Sequence, residues 1–188
     1  GCLRTFAVVP GAFKPPHKGY LETIRDIGVE WDKLYMIIGT GGTKTKTVGG
    51  EKIKIPKRTI HGEGISSDVS KTLFRKYFED AGIGNYSLID IKEGEQHFYV
   101  DKNGNEKSMT ATPLTKVLDI IKGGEAGQTY VLLTIDEEAG RFKYILESQK
   151  DKIPEGVQVV VKEIVKQPEE DLGQVLHGTE LRAAIESG

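Results

Sequence analysis

The sequence has little sulfur and no long apolar stretch. Cys2 is the single cysteine among 188 residues, so a disulfide framework is excluded. No apolar run approaches the roughly 20 residues that a membrane-spanning helix needs, so no membrane partner is expected. Because no apolar leader segment opens the chain either, we expect a protein of the reducing cytoplasm.

The sequence also lacks an excess of charge of one sign. It contains 26 basic and 28 acidic residues, for a net charge of −2. This balance gives no overall basic field, so we expect no long nucleic acid as a partner, and any polyanion must be bound locally. The length and the 37% hydrophobic content suit one domain that spans residues 1–188.

Short apolar segments alternate along the chain with amphipathic segments that carry helix-capping residues. The alternation predicts a Rossmann-like, doubly wound parallel sheet of five strands with helices on both faces, and a ligand at the carboxyl ends of the strands. The predicted strands are Phe6–Val9, Leu34–Ile38, Tyr86–Asp90, Tyr130–Leu133 and Val157–Val161. The first predicted helix has an apolar face of Leu21, Ile24 and Ile27 and ends near Gly28. The others run from Ser66 or Ser67 to Gly82 with an apolar face that includes Val69, from Thr112 to Gly123, from Glu138 to Gln149 and from about Gly178 to Ile185.

Two insertions interrupt this alternation. Residues 40–61 show no apolar period and carry six basic residues against one acidic residue. We expect a mobile basic loop there, which is either simply solvated or a flap that closes over an anionic ligand. Residues 92–110 contain Asn103-Gly104, a two-residue turn signal that predicts a small inserted β-hairpin.

The segment from Pro10 to Tyr20 lies between the first predicted strand and the first predicted helix. A loop in this position directs backbone N–H groups and the positive end of a helix at an anion above the sheet. Gly11 and Gly19 permit close approach of the backbone, while Lys14 and His17 add side-chain donors. The segment matches neither a Walker A loop nor a dinucleotide fingerprint.

This segment resembles the G-x-F-x-P-x-H-x-G-H signature of the nucleotidylyltransferase superfamily, whose members include cytidylyltransferases and nicotinamide mononucleotide adenylyltransferases. Its form Gly-Ala-Phe-Lys-Pro-Pro-His-Lys-Gly is most similar to the small cytidylyltransferase-like proteins of phage and bacteria. The departure is Tyr20, which stands where the family has its second histidine. A later stretch, Leu176 to Arg182, resembles the family's second signature of the form S-G-T-x-x-R.

The resemblance implies transfer of a nucleoside monophosphate, CMP or AMP, from a nucleoside triphosphate to a phosphorylated small molecule. Mg²⁺ would arrive with the triphosphate; the sequence contains no His, Cys and Asp spacing typical of a protein metal site. The implied catalytic residues are His17, Lys14 and Tyr20. The implied nucleotide-binding residues are Gly11, Ala12, Phe13, Gly19, Gly178, Thr179, Arg182 and Arg141.

Three questions stay open on the sequence alone. The nucleotide could be CTP or ATP, and the chain could form a homo-oligomer. Because Tyr20 replaces a histidine, the alternative to an enzyme is a nucleotide-binding or regulatory module that has kept the fold and lost turnover.

Overall fold

The computed structural model describes residues 3–16, 19–26, 30–61 and 63–164, and the elements lie in that part of the chain. The strands are β1 (Arg4–Gly11), β2 (Lys33–Ile38), β3 (Thr43–Val48), β4 (Glu51–Pro56), β5 (Thr59–Ile60), β6 (Glu63–Gly64), β7 (Tyr86–Asp90), β8 (Gln96–Val100), β9 (Glu106–Thr110), β10 (Gln128–Ile135) and β11 (Gln158–Ile164). The helices are α1 (Gly19–Asp26), α2 (Ser67–Ala81), α3 (Pro113–Lys122) and α4 (Asp136–Ser148), and a 3₁₀ turn covers Lys150–Lys152.

The predicted fold class is confirmed. Five strands form one parallel sheet in the order β11-β10-β1-β2-β7. In order along the chain this is 3-2-1-4-5, the arrangement of a doubly wound sheet. The predicted helix from Gly178 to Ile185 lies outside the described residues.

The central strands are apolar on both sides because helices cover both faces of the sheet. In β1, Ala7 and Val9 face one layer while Phe6 and Val8 face the other. The first layer holds α1 and α2, with Phe74 and Phe78 of α2 fully buried against the sheet. The second layer holds α3 and α4, which pack on the opposite face.

Residues of the predicted types cap the helices. The Ser66 hydroxyl accepts a hydrogen bond from the Val69 N–H, and Gly82 ends α2 at φ 72°, a left-handed conformation that glycine adopts without strain. Thr112 and Thr115 form a reciprocal capping box at the start of α3, which Pro113 opens.

The apolar face predicted for α2 is wrong at its first turn. Val69 is 48% exposed, and the buried stripe is instead Ser70, Phe74 and Phe78. These positions are four residues apart and therefore line up on one side of the helix. Ser70 replaces an apolar residue there because its hydroxyl is used in a contact described below.

The sequence predicted a loop at residues 40–61. The structure instead contains paired strands there. Strands β3 and β4 pair as an antiparallel two-stranded ribbon with Thr43 opposite Pro56 and Val48 opposite Glu51. Gly49 and Gly50 connect them at φ 60° and 84°, which fits a turn with two positive φ angles. Whether the ribbon moves stays a prediction.

The inserted hairpin predicted within residues 92–110 is present as β8 and β9. Its connection is longer than the two residues predicted. Val100 pairs with Glu106, and Asp101 accepts hydrogen bonds from the N–H groups of Asn103 and Asn105 across the turn. The Asp101 side chain thus supports a five-residue connection.

Among the residues described, no helix has the length and apolar character needed to cross a membrane.

Candidate functional site

The sheet places the end of β1 where its winding changes direction. From β1 the chain proceeds to β2 and β7 on one side, whereas β10 and β11 lie on the other. Ligands of doubly wound sheets bind outside the carboxyl ends of the strands at this switch point. Gly11, at the end of β1, and the segment that follows it therefore occupy the position expected for a ligand site.

The ring of Phe13 folds back over Gly11. A side-chain carbon on Gly11 would lie 2.7 Å from the ring of Phe13, so only glycine fits beneath this ring. Phe13 itself adopts φ 49°, and its ring packs edge-to-face on Phe74 with centroids 5.0 Å apart. The glycine and phenylalanine of the motif are thus required together by packing.

Two side chains of helix α2 donate hydrogen bonds to backbone carbonyls of the segment after β1. The Ser70 hydroxyl donates to the Phe13 carbonyl at 2.5 Å, and both groups are buried. The Tyr77 hydroxyl donates to the Pro16 carbonyl at 3.4 Å, and burial raises the Tyr77 pKa. Both carbonyls lie beyond the end of β1 and therefore have no neighbouring strand to bond, so these hydrogen bonds satisfy them.

Lys14 is buried, with 3% of its surface exposed. Its ammonium donates to the Ser67 hydroxyl at 2.6 Å, on the first residue of α2. Burial lowers the Lys14 pKa, partly offset by the carboxylates of Asp90 and Asp68. Lys14 therefore joins the segment that contains the sequence motif, Pro10 to Tyr20 and here called the motif segment, to α2.

The exit of β2 forms the neighbouring wall. The Gly39 N–H donates to the Gly11 carbonyl at 2.8 Å. A side-chain carbon on Gly41 would lie 3.2 Å from Cγ of Lys14 and 3.8 Å from Cδ of Arg58. The base of the β3–β4 ribbon is consequently next to the motif segment.

The structure brings some predicted site residues together and leaves others untested. Gly11 ends β1, Ala12, Phe13 and Lys14 follow it directly, and Gly19, which is buried, is the first residue of α1. Tyr20 is the second residue of that helix, and Arg141 is exposed on α4. His17, Gly178, Thr179 and Arg182 lie outside the described residues. Within the described ranges, no group of three His, Cys, Asp or Glu side chains could hold a metal ion.

Sequence reasoning missed the contribution of α2 to the site. Ser67 and Ser70 contact Lys14 and Phe13 across 53 and 57 residues of chain. The available signal was Ser70, a serine among the buried residues of α2, because a buried hydroxyl needs a hydrogen-bond partner.

The burial of Lys14 predicts a pH-dependent contribution to stability. Because its pKa is lowered from 10.5 in the folded state, the unfolded chain binds more protons between the folded pKa and 10.5, and stability rises with pH there. The free energy of unfolding of the wild type, minus that of Lys14→Met, should therefore increase as urea denaturations are taken from pH 7 to 10. Lys76→Met, at an exposed lysine, is the control. The difference in free energy of unfolding between the wild type and Lys76→Met should not change in this way with pH. Equal pH dependence for the two variants would contradict the prediction.

The comparisons with known proteins point to the fold. A crystal structure described as the NadR protein in complex with NR superposes with a TM-score of 0.52 at 14% sequence identity. The match covers 96% of this chain but 42% of that chain, so this chain spans less than half the length of that protein. No protein-family model matches the chain, and no curated protein matches it in sequence. At this identity the likeness establishes a shared α/β fold.

Proposed function

We propose that the protein is a nucleotidylyltransferase that transfers CMP or AMP from a nucleoside triphosphate to a phosphorylated small molecule. The observation that carries the proposal is the position of the G-x-F-x-P-x-H-x-G segment, which leaves β1 at the switch point of the sheet and enters α1. The fold shared with the NadR structure is compatible with it. An accidental match to the motif would not be expected to fall at this point of this fold.

In the proposed reaction, a phosphate oxygen of the acceptor attacks the α-phosphorus of the triphosphate. The bond from that phosphorus to the bridging oxygen of the β-phosphate breaks, and pyrophosphate leaves with the Mg²⁺ that accompanied the triphosphate. Such a reaction needs donors and cations that stabilise spreading negative charge, and neither a nucleophilic side chain nor a base.

The proposed roles follow from position. The N-terminus of α1 at Gly19 directs backbone N–H groups towards the phosphates, and His17 just before it donates to the phosphate in transfer. Thr179 and Arg182 bind the triphosphate. Because Lys14 is buried against Ser67, it acts in this proposal as a positioning residue that holds the segment immediately after Gly11 against α2.

The test is a panel of triphosphates offered to the full-length chain. Calorimetry identifies which of CTP, ATP, GTP and UTP binds, and a pyrophosphate-release assay with candidate phosphorylated acceptors measures turnover. Binding and release together support the proposal. Binding without release with any acceptor supports the alternative of a non-catalytic nucleotide-binding module, for which Tyr20 is the argument, and no binding contradicts both.

The later stretch that resembles a family signature, Leu176 to Arg182, should determine the affinity for the triphosphate. Arg182→Ala removes a charge-assisted contact to phosphate, so we expect binding to weaken by about 1.5–3 kcal/mol, roughly tenfold or more. Thr179→Ala should weaken it less, because a neutral hydroxyl is lost. Calorimetric affinity for the preferred triphosphate checks both, and wild-type affinity in Arg182→Ala would show that Leu176 to Arg182 has no part in binding.

Tyr20 should limit the rate. A tyrosine, with an ordinary pKa of about 10, offers a neutral donor where a histidine can carry charge near neutral pH. Loss of one transition-state donor costs about 10²–10³ in rate, so Tyr20→His should raise pyrophosphate release without tightening triphosphate binding. Tyr20→Phe serves as the control and should not raise it. An unchanged rate in Tyr20→His would mean that tyrosine is a competent donor here.

A further inference from the structure

The β3–β4 ribbon projects from the domain. Every residue from Thr43 to Lys54 is exposed, although the strands pair with each other over six residues. At about 3.3 Å per residue each strand is about 20 Å long. A two-stranded ribbon exposed on both faces is at best marginally stable by itself, so these faces are available to a partner.

The ribbon carries a local excess of positive charge in a chain whose net charge is negative. Residues 43–56 carry four lysines and one glutamate, a net charge of +3, while the rest of the chain carries −5. A polyanion would therefore be attracted locally to the ribbon, whereas the net negative charge of the rest of the chain disfavours an extended contact elsewhere. This difference favours the ribbon as the contact for a chain of phosphates.

The register divides the ribbon into two different faces. On one face, Thr45 lies opposite Lys54 and Thr47 lies opposite Lys52, because directly opposed residues share a face. On the other, Lys44 and Lys46 are opposed by Ile55 and Ile53. The first face, here called the Thr/Lys face (Thr43, Thr45, Thr47, Lys52, Lys54 and Pro56), presents hydroxyl and ammonium donors and no aromatic group.

These lysines extend too far for a compact ligand. The base of the ribbon adjoins Lys14 through Gly41 and Arg58. Lys46 and Lys52 are three and four residues from the pair Thr43–Pro56 at the base, about 10 and 13 Å along the strands. At physiological salt, charges farther apart than about 8 Å are largely screened. A triphosphate bound at the motif segment would leave the lysines near the tip without a partner, whereas a chain of phosphates would reach them.

We propose that the ribbon is a binding arm for a short single-stranded nucleic acid, whose phosphates follow the Thr/Lys face. Hydroxyl and ammonium groups are the common donors to nucleic-acid phosphates, and contacts to phosphates carry no sequence information, so the contact should tolerate different sequences. A flexible strand can follow the ribbon while avoiding the acidic remainder of the protein. The low net charge of the chain argued only against long nucleic acid, and this local site is consistent with it.

The test uses a fluorescein-labelled 20-nucleotide oligo(U) and the full-length chain without triphosphate. Anisotropy titrations from 50 to 200 mM salt should show an affinity that falls with salt. The quadruple variant K44Q/K46Q/K52Q/K54Q should bind at least tenfold more weakly at 50 mM. Its slope of log affinity against log salt should be smaller by about 2–3, given about 0.7 per phosphate contact for a single strand.

Matched variants distinguish an effect of the ribbon from an effect of total charge. They also distinguish the two faces of the ribbon. K76Q/K92Q/K102Q/K107Q removes the same charge from exposed lysines elsewhere and should bind within about twofold of the wild type. K52E/K54E, on the Thr/Lys face, should weaken binding more than K44E/K46E does on the other face. Circular dichroism and thermal unfolding of each variant verify that the domain is folded.

Several outcomes would overturn the proposal. One is no oligo(U) binding, and another is equal losses in the ribbon variant and the matched control. Ribbon-dependent binding to phosphatidylserine vesicles without oligo(U) binding would make the ribbon a membrane element. A separate calorimetric titration measures triphosphate binding; if the quadruple variant loses triphosphate affinity while its oligo(U) affinity is unchanged, the ribbon is a flap of the proposed active site. Because the oligo(U) titrations omit triphosphate, their failure leaves the proposed nucleotidyl transfer unaffected.

Discussion

Replacement of His17 by alanine is expected to lower turnover by about two or more orders of magnitude. In the proposed reaction its imidazole donates to the phosphate in transfer, where negative charge builds up mainly in the transition state. Triphosphate affinity should therefore change much less than kcat, because an interaction made in the transition state contributes little to ground-state binding. Pyrophosphate release and calorimetry on the same preparation measure both quantities.

His97→Ala provides the matched control for His17→Ala. His97 lies on the β8–β9 hairpin next to Asp119, away from the motif segment in the sequence, so its loss should leave turnover within about twofold. If His17→Ala is folded and turns over like the wild type, His17 is not a catalytic residue and the assignment of the site is wrong.

Phe74→Ala should cause the largest loss of stability. The side chain is fully buried, packs edge-to-face on Phe13 and stacks on Phe78 with centroids 5.8 Å apart. Removal of a buried phenylalanine side chain costs about 3–5 kcal/mol, because the transfer energy is lost and a cavity is left. The free energy of unfolding from urea denaturation measures this loss.

The same substitution on the surface is the control. Phe98 on β8 is 77% exposed, so Phe98→Ala should stay within about 0.5 kcal/mol of the wild type. Similar losses in the two variants would contradict the packing described for Phe74. A second expected effect of Phe74→Ala is weaker triphosphate binding, because Phe13 loses the ring that supports its fold over Gly11.

The five-stranded sheet could be predicted because burial determines the composition of its strands. Segments such as Phe6–Val9 and Leu34–Ile38 are apolar on both sides, as strands covered by two helical layers must be. The capping residues Ser66, Gly82 and Thr112 marked helix ends for a local reason, since each satisfies or permits backbone geometry within a few residues. Local signals of this kind can be identified in a single sequence.

The β3–β4 ribbon was missed because its faces are both exposed. Strand prediction relies on alternation between apolar and polar residues, but β3 alternates threonine with lysine up to Val48, so hydrophobicity shows no period. Two signals were available and were missed. Lysine alternates with isoleucine in β4, and the adjacent Gly49 and Gly50 suit a two-residue hairpin turn.

The motif segment could be located from the sequence, but its contacts could not. Its place between β1 and α1 follows from the order of elements. The partners of Lys14 and Phe13 are serines of α2 more than 50 residues away, and no local pattern encodes which turn of which helix will adjoin the segment. The roles of His17, Thr179 and Arg182 stay predictions.

The two hairpins attach to the domain through ends that already meet. Thr43 lies opposite Pro56 at the base of one hairpin, and Gln96 lies opposite Thr110 at the base of the other. Each insertion therefore leaves and re-enters the domain at nearly the same point, so a tight turn could close the gap if the hairpin were removed, at little cost in chain entropy. The five-stranded sheet is in this sense a modular platform, on which appendages can be lengthened, shortened or grafted during divergence or by design without a change of strand order.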